Sequence, residues 1–364
     1  GEWTFAAPVG DEISIDMRPN DPVNNSADID LLDPSGDVVE SATANGEDGN
    51  AVITRYEIER KQDGEYTIVA SGDESFGYEL SLYLGVPIDE TIQYGATVES
   101  ELTRDNRYFA YATFSGYHET YAFAASVGDQ VSIEVRPDDP VTEEAEIELL
   151  DPDGDPVEGV GPSGEDGNAA LTRYDIERGQ GGQYTIVASG ADQTDLFGYE
   201  ISLYEGVPID ETIEYGATVE SEFTRDNRYF RYATFSGYHE TYAFAASAGD
   251  EVSIELRPDS PDMEAHIRLL DSAGDPVEGV RPTTENGNAV ITEEEVDQDG
   301  QYIIVASGDD QTDLFEYTLE LRLDNRSEQT TTSVETASET ETTVEAETTD
   351  QTDTMTPTET TVGA

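Results

Sequence analysis

One block of this sequence occurs twice almost unchanged, and its second half occurs a third time; that repetition limits the possible folds more than any other feature. Residues 88–140 match residues 209–261 at all but seven positions. Three landmarks recur in all copies. The first is Phe5-Ala6-Ala7 to Gly10-Asp11, then Phe123 to Asp129, then Phe244 to Asp250. The second is Leu31-Leu32-Asp33, Leu149-Leu150-Asp151 and Leu269-Leu270-Asp271. The third is Tyr66 to Gly72, Tyr184 to Gly190 and Tyr302 to Gly308. Copies are offset by about 120 residues, against about 20–50 for solenoid units, so each is large enough to bury its own core. The alignment places Trp3 where Tyr121 and Tyr242 stand, so the first copy lacks its opening third and Gly1 reads as mid-strand.

Within a copy the apolar residues alternate. Val131, Ile133 and Val135 interleave with Gln130, Ser132, Glu134 and Arg136, which predicts a strand with one face in the core and one in solvent. Tyr199, Ile201 and Leu203 do the same against Glu200, Ser202 and Tyr204. Turn clusters such as Asp151-Pro152-Asp153-Gly154 and Gly181-Gly182 separate the runs, and no helical period is sustained. Seven to nine short strands per copy predict an all-β chain of tandem antiparallel, jelly-roll-like β-sandwich domains. Copy one is placed at residues 1–85, copy two at 86–206 and copy three at 207–323, joined as beads on a string. From Asp324 the sequence is Thr, Glu, Ser and Asp with little to bury, so 324–364 is expected to be a disordered or glycosylated stalk.

The chain carries 82 acidic against 17 basic side chains in 364 residues, a formal charge of -65, and Lys61 is its only lysine. Such a charge repels itself in dilute buffer, and molar salt shortens the Debye length to about 3 Å. Near-elimination of lysine beside this acidity resembles haloarchaeal proteins, so the charge reads as adaptation to salt. Without a basic stripe to neutralise phosphates, nucleic-acid binding is disfavoured and no nucleic-acid partner is expected. With no cysteine, disulfides, thiolate catalysis and Cys-ligated zinc are excluded too. No run reaches the roughly 18 apolar residues of a membrane span, so membrane attachment would need an anchor outside this sequence.

A strand ending Phe-Ala-Ala-x-x-Gly-Asp, then Val-Ser-Ile-Glu, Leu-Leu-Asp-Pro-Asp-Gly-Asp and Gly-Gln-Tyr-Thr-Ile-Val-Ala-Ser-Gly, resembles the bacterial pre-peptidase C-terminal domain. The resemblance covers all three copies but not the tail. It implies jelly-roll-like sandwiches of the kind appended to secreted proteases or found in surface proteins, some relatives binding collagen, polysaccharide or calcium. The extreme acidity and the tandem array without a peptidase domain depart from that pattern.

Four candidate sites follow. Asp151, Asp153 and Asp155 are spaced like part of a calcium loop, and calcium is the one cofactor the sequence admits; the competing reading is a β-turn. Glu165 and Asp166 would complete such a site only if the fold brought them near. The aromatic run Tyr108, Phe109, Tyr111, Phe114, Tyr117, Tyr121 and Phe123, repeated in copy three, reads as core and inter-repeat packing, with sugar stacking as the alternative. His118 and His239 occupy one repeat position in a turn-like Ser-Gly-Tyr-His-Glu and read as copied scaffold, since no metalloprotease or nucleophile-elbow motif is present. Asn24 and Asn325 head N-x-S sequons, candidate glycosylation sites.

These readings make the chain a non-enzymatic, extracellular structural or adhesive protein of a halophile cell surface. It would meet a cell-surface or extracellular polymer or protein, or associate with itself through the open edges of the first copy. A C-terminal accessory region of a secreted protease or other hydrolase, and a carbohydrate- or calcium-binding module, are the alternatives. Unfolding followed by circular dichroism is expected to move to higher temperature as KCl rises from about 0.1 M to about 3 M. A chain no less stable in dilute buffer would contradict the salt-adapted reading.

Overall fold

The computed structural model describes residues 1–44, 49–59, 63–72, 75–110, 115–162, 166–192, 194–232, 235–277, 283–310 and 313–324. The expected stalk, with Asn325, lies outside them except for Asp324, as do Glu165, Tyr111 and Phe114. The described residues contain strands and no helix. The chain is all-β, built of antiparallel β-sandwiches in tandem.

Copy one supplies β1 (Glu2–Ala7), β2 (Glu12–Pro19), β3 (Ala27–Leu32), β4 (Val38–Thr43), β5 (Ala51–Glu57), β6 (Gly64–Gly72) and β7 (Tyr78–Leu84). They form a β1-β6-β3-β4 sheet and a β5-β2-β7 sheet. Copy two supplies β8 (Glu90–Thr91), β9 (Ala96–Glu101), β10 (Arg107–Ala110), β11 (Ser115–Ala125), β12 (Gln130–Pro137), β13 (Ala145–Leu150), β14 (Pro156–Val160), β15 (Ala169–Asp175), β16 (Gly182–Gly190) and β17 (Gly198–Glu205). One sheet runs β10-β11-β16-β13-β14, with β8 parallel beside β11, and the other runs β15-β12-β17-β9. Copy three supplies β18 (Glu211–Thr212), β19 (Thr218–Glu222), β20 (Arg228–Tyr232), β21 (Phe235–Ala246), β22 (Glu251–Pro258), β23 (Ala265–Leu270), β24 (Thr283–Glu285), β25 (Asn288–Glu295), β26 (Gly300–Gly308) and β27 (Glu316–Leu323). Its sheets are β18-β21-β26-β23, with β20 on β21, and β19-β27-β22-β25-β24.

The register supports the sequence alignment: Trp3 pairs with Ile68, Tyr121 with Ile186 and Tyr242 with Ile304. Each copy has its own core. Among the described residues, copies two and three bury 21 hydrophobic residues apiece in theirs and copy one 13. Ile92 and Leu102 lie in the core of copy two, and Ile213 and Phe223 in that of copy three.

Two expectations are corrected. Alternation assigned Ser132 and Glu134 of β12 to solvent, yet they are 0% and 2% exposed. The reason is that copy three covers that face of β12, as copy two covers Ser14 and Asp16 of β2. On β22 of copy three, Ser253, Glu255 and Arg257 stay partly exposed and the simple alternation returns. The second correction follows: the described residues of the three copies form one compact unit, so the copies are not independent beads.

Candidate functional site

The surfaces that join one copy to the next are built twice from the same positions. Each begins with a serine on the covered face. Ser14 donates to the carbonyl of Gly85 at 3.1 Å and accepts the backbone N–H of Arg55 at 3.1 Å. Ser132 does the same with Gly206, at 2.8 Å, and Arg173, at 3.0 Å. The serine thereby pins two things: the exit of the chain toward the next copy, and a β-bulge. The ladder shifts register between Ile13 and Ile15, and between Val131 and Ile133, and Arg55 and Arg173 take φ of 51° and 54°. A non-glycine residue there costs about 1–3 kcal/mol, and a bulge re-aims the side chain it carries.

The re-aimed guanidinium reaches the next copy. Arg55 bonds the Asp155 carboxylate at 3.1 Å and the Asp153 carbonyl at 3.2 Å, while its own Glu12 holds it from behind at 2.9 Å. Arg173 bonds Asp275 at 2.9 Å and the carbonyls of Gly274 and Ala273 at 2.6 and 2.9 Å. Burial disfavours the charge on Arg55, and Glu12 and Asp155 more than restore it, so its pKa is raised. The receiving segment is a tight turn in both cases: Asp151 Oδ1 accepts the N–H groups of Asp153 and Asp155, and Gly154 sits at φ 82°. A β-carbon on Gly274 would lie 2.5 Å from a Val207 methyl, so the joining segment also packs against the turn.

A second arginine closes each junction. Arg18 donates to the carbonyls of Asp105 and Asn106 at 2.6 and 2.8 Å, and Arg136 to that of Asp226 at 3.0 Å. Between copies two and three, Arg225 also pairs with buried Asp166 at 2.7 Å, and buried Glu134 accepts the N–H of Tyr229 at 2.9 Å. Burial raises the pKa of Glu134 above the usual range, against the pull of Arg136 and the Tyr229 N–H. Ion pairs with exposed partners are worth about 0–1 kcal/mol, and apolar burial accompanies them at both junctions. Phe230, Leu270, Ile303 and Val305 are packed with Ala170 and Val207 at one junction, and Leu150 and Val187 with Val52, Tyr83 and Val86 at the other.

On its far face copy three keeps the serine and the bulge, with Ser253 accepting the N–H of Glu293 at 2.9 Å, but changes the groups they carry. Glu293 replaces the bulge arginine, at φ 49°, and Ser253 bonds the carboxylate of Asp324 where its counterparts bond a glycine carbonyl. Arg257 turns back onto Glu255 and Glu320 of its own copy.

Asp151, Asp153 and Asp155 therefore lie at a junction turn, with Asp151 capping the turn and Asp155 holding Arg55. Among the described residues no group of three or more Asp, Glu or His side chains is placed to hold a metal ion. Asp166 is drawn to Arg225 instead. Asn24 is exposed and its amide donates to Asp21. His118 and His239, expected in a turn, lie inside β11 and β21 at 0% exposure, because those strands run on through the Gly-Tyr-His segment. Tyr117, Tyr121 and Phe123 are buried in the protein.

The sequence did not reveal one polar cluster in the core. Glu119 accepts hydrogen bonds from Ser100, Tyr121 and Tyr199 at 2.6, 2.8 and 2.6 Å and from Asn106 at 2.8 Å. Burial pushes Glu119 up, and these four donors outweigh it and hold its pKa below the usual range. Burial raises both tyrosine pKa values, so their hydroxyls stay protonated and tie β11 to β17 across the sandwich. Tyr242, Tyr317 and Glu240 repeat the arrangement in copy three. Its signal was the Tyr121–Tyr242–Trp3 column, since the tryptophan marks the copy without it.

His239 makes a measurable contribution. Burial lowers its pKa to about 4, while its Nδ1 lies 2.9 Å from the Gly237 carbonyl. The unfolded chain binds the proton first, so stability is full above about pH 6.5 and falls as pH drops toward 4, by about 3 kcal/mol in all. Denaturant titrations of His239→Gln against the parent are expected to show a difference that shrinks over that window. A difference independent of pH would refute the assignment.

No family model matches the chain. No curated protein matches it either. Among solved structures, the CUB1-EGF-CUB2 domain of human MASP-1/3 aligns at 8% identity over 62% of this chain and 99% of that one, with a TM-score of 0.16. A biofilm-associated protein BSP domain aligns at 10% identity over 89% and 92%, with a TM-score of 0.18. A triple jelly roll protein of an archaeal virus aligns at 9% identity over 87% and 80%, with a TM-score of 0.18. At these TM-scores the alignments carry no argument about function.

Proposed function

We propose that this chain is a non-enzymatic, extracellular structural or adhesive protein of a halophile cell surface, in which rigidly joined sandwiches serve as a spacer and presentation surface. The observation that carries the reading is the duplicated junction. Arg55 and Arg173, 118 positions apart, grip equivalent turns of the following copy with equivalent donors. A head-to-tail contact repeated with the same residues repeats the same rotation and translation, as a spacer requires. The buried polar groups support the same reading. The Glu119 and Glu240 clusters are saturated with protein donors and occur twice, a pattern suited to scaffold. The acid-rich surface supports a setting of high salt.

Peptide mapping and intact-mass measurement on native protein from envelope and culture-medium fractions tests this. Retention with the envelope, in a polypeptide of further repeats, is the expected result. A catalytic domain in the same polypeptide, recovered from the medium, would replace the reading with that of an enzyme's accessory region.

A further inference from the structure

Asn168 stands where copy three covers copy two. It is 0% exposed, and among the described residues neither its amide oxygen nor its amide nitrogen has a hydrogen-bond partner. Its direction follows from the strand that it precedes. Ala169 enters the core of copy two and Ala170 packs into the apolar cluster of the junction, so alternation turns Asn168 toward copy three. Asn288, its counterpart in copy three, is partly exposed and donates to Glu255 at 3.1 Å. Asn50, its counterpart in copy one, is again 0% exposed with both amide atoms unpartnered among the described residues. The orphaned amide thus goes with the covering of this face.

Two further atoms beside Asn168 lack a partner among the described residues. Asp166, two positions earlier, is 2% exposed; its Oδ1 takes Arg225 at 2.7 Å and its Oδ2 is unpartnered. Tyr238 of β21 is 1% exposed, its hydroxyl is unpartnered, and its ring packs edge-on against Tyr229 at 5.2 Å. Burial and then the charge of Asp166 raise the Tyr238 pKa, so this hydroxyl neighbours the carboxylate and keeps its proton. The segment carrying Asp166 and Asn168 is fixed at Gly167. Its N–H donates to the Pro140 carbonyl at 2.6 Å and its carbonyl accepts the Ala145 N–H at 2.7 Å. A β-carbon there would lie 1.6 Å from the Glu143 carbonyl oxygen.

We propose that the junction of copies two and three is a binding site for ordered water, held between Asp166 and Asn168 of one copy and Tyr238 of the next. The set of groups selects that ligand. Asn168 Nδ2 and the Tyr238 hydroxyl have hydrogens to give, while Asp166 Oδ2 and Asn168 Oδ1 have lone pairs to offer. A cation would face the amide hydrogens and the Arg225 guanidinium that already neutralises Asp166. An anion would face the Asp166 carboxylate. Water donates and accepts, and a buried one makes about three hydrogen bonds. Such a bridge is nearly as favourable in enthalpy as a direct bond, so the bound water ties copy two to copy three. Asn50 marks the equivalent place at the other junction.

The test is crystallographic, on the full chain in about 3 M KCl and again with RbCl in its place. A rounded density peak within about 3.2 Å of the Asn168 amide and the Tyr238 hydroxyl is expected in both salts, without rubidium anomalous signal. An anomalous peak would make the occupant a cation, and direct bonding among Asn168, Asp166 and Tyr238 with no peak would leave no site; either result overturns the proposal. In solution, oxygen-17 relaxation dispersion is expected to report long-lived water in the parent and a smaller amplitude in the variant Asn168→Leu with Tyr238→Phe, its fold checked by circular dichroism. An equal amplitude in the folded variant would also overturn the proposal, and the crystallographic result stands whether or not that variant folds.

Discussion

Covering the outer face of one strand by the next copy is the constraint on which the rest of this structure depends. A strand in an ordinary sandwich needs apolar residues on one side only. Strands β2 and β12 are buried on both sides, and so are β16 and β26, because each junction lays one copy's serine-bearing face near the turn of its successor. The strands outside the junctions, β6 and β22, keep the simple alternation. Once a face is covered, every polar group on it must find a partner. Ser14 and Ser132 meet that demand by bonding both the bulge and the exit of the chain.

Charge makes these junctions hard to build. With 82 carboxylates and 17 basic groups, two copies approach each other as two anions. Salt weakens that repulsion across solvent, but a contact surface excludes the counterions that do the screening. The chain answers by placing Arg18, Arg55, Arg136, Arg173 and Arg225 at the contacts, several of them aimed at carbonyls as well as carboxylates. Arginine suits this role better than lysine, since its planar fork satisfies two acceptors at once and is more weakly hydrated. On the far face of copy three, Glu293 stands in place of the bulge arginine, and Arg257 and Arg322 pair with Glu320 of their own copy.

The fold was legible because repetition and period-2 alternation survive in any sequence of this class. The strands over Val131–Val135 and Tyr199–Leu203 and the turn at Asp151–Gly154 stand where those patterns put them. The junctions were not legible, because alternation reports which face of a strand is apolar and says nothing about what covers a polar face. Ser132 and Glu134 read as solvent-facing for that reason. The clue was present in the differences between copies: Arg55 and Arg173 give way to Glu293, and Gly85 and Gly206 to Asp324, at one end only. The tyrosine–glutamate clusters were hidden for another reason: Glu119 and Tyr199 are 80 positions apart, and only the fold brings them to 2.6 Å.

The absence of cysteine allows the central claim to be tested cleanly, since spin labels can be placed at chosen positions only. Val38 of copy one and Val141 of copy two are exposed and lie outside the junction contacts described above. Double electron–electron resonance between labels at these two positions, in molar salt, measures the relation between the copies directly. A single narrow distance distribution is the result expected of junctions that fix one copy on the next. A broad distribution, of the kind produced by domains swinging on a linker, would contradict the account.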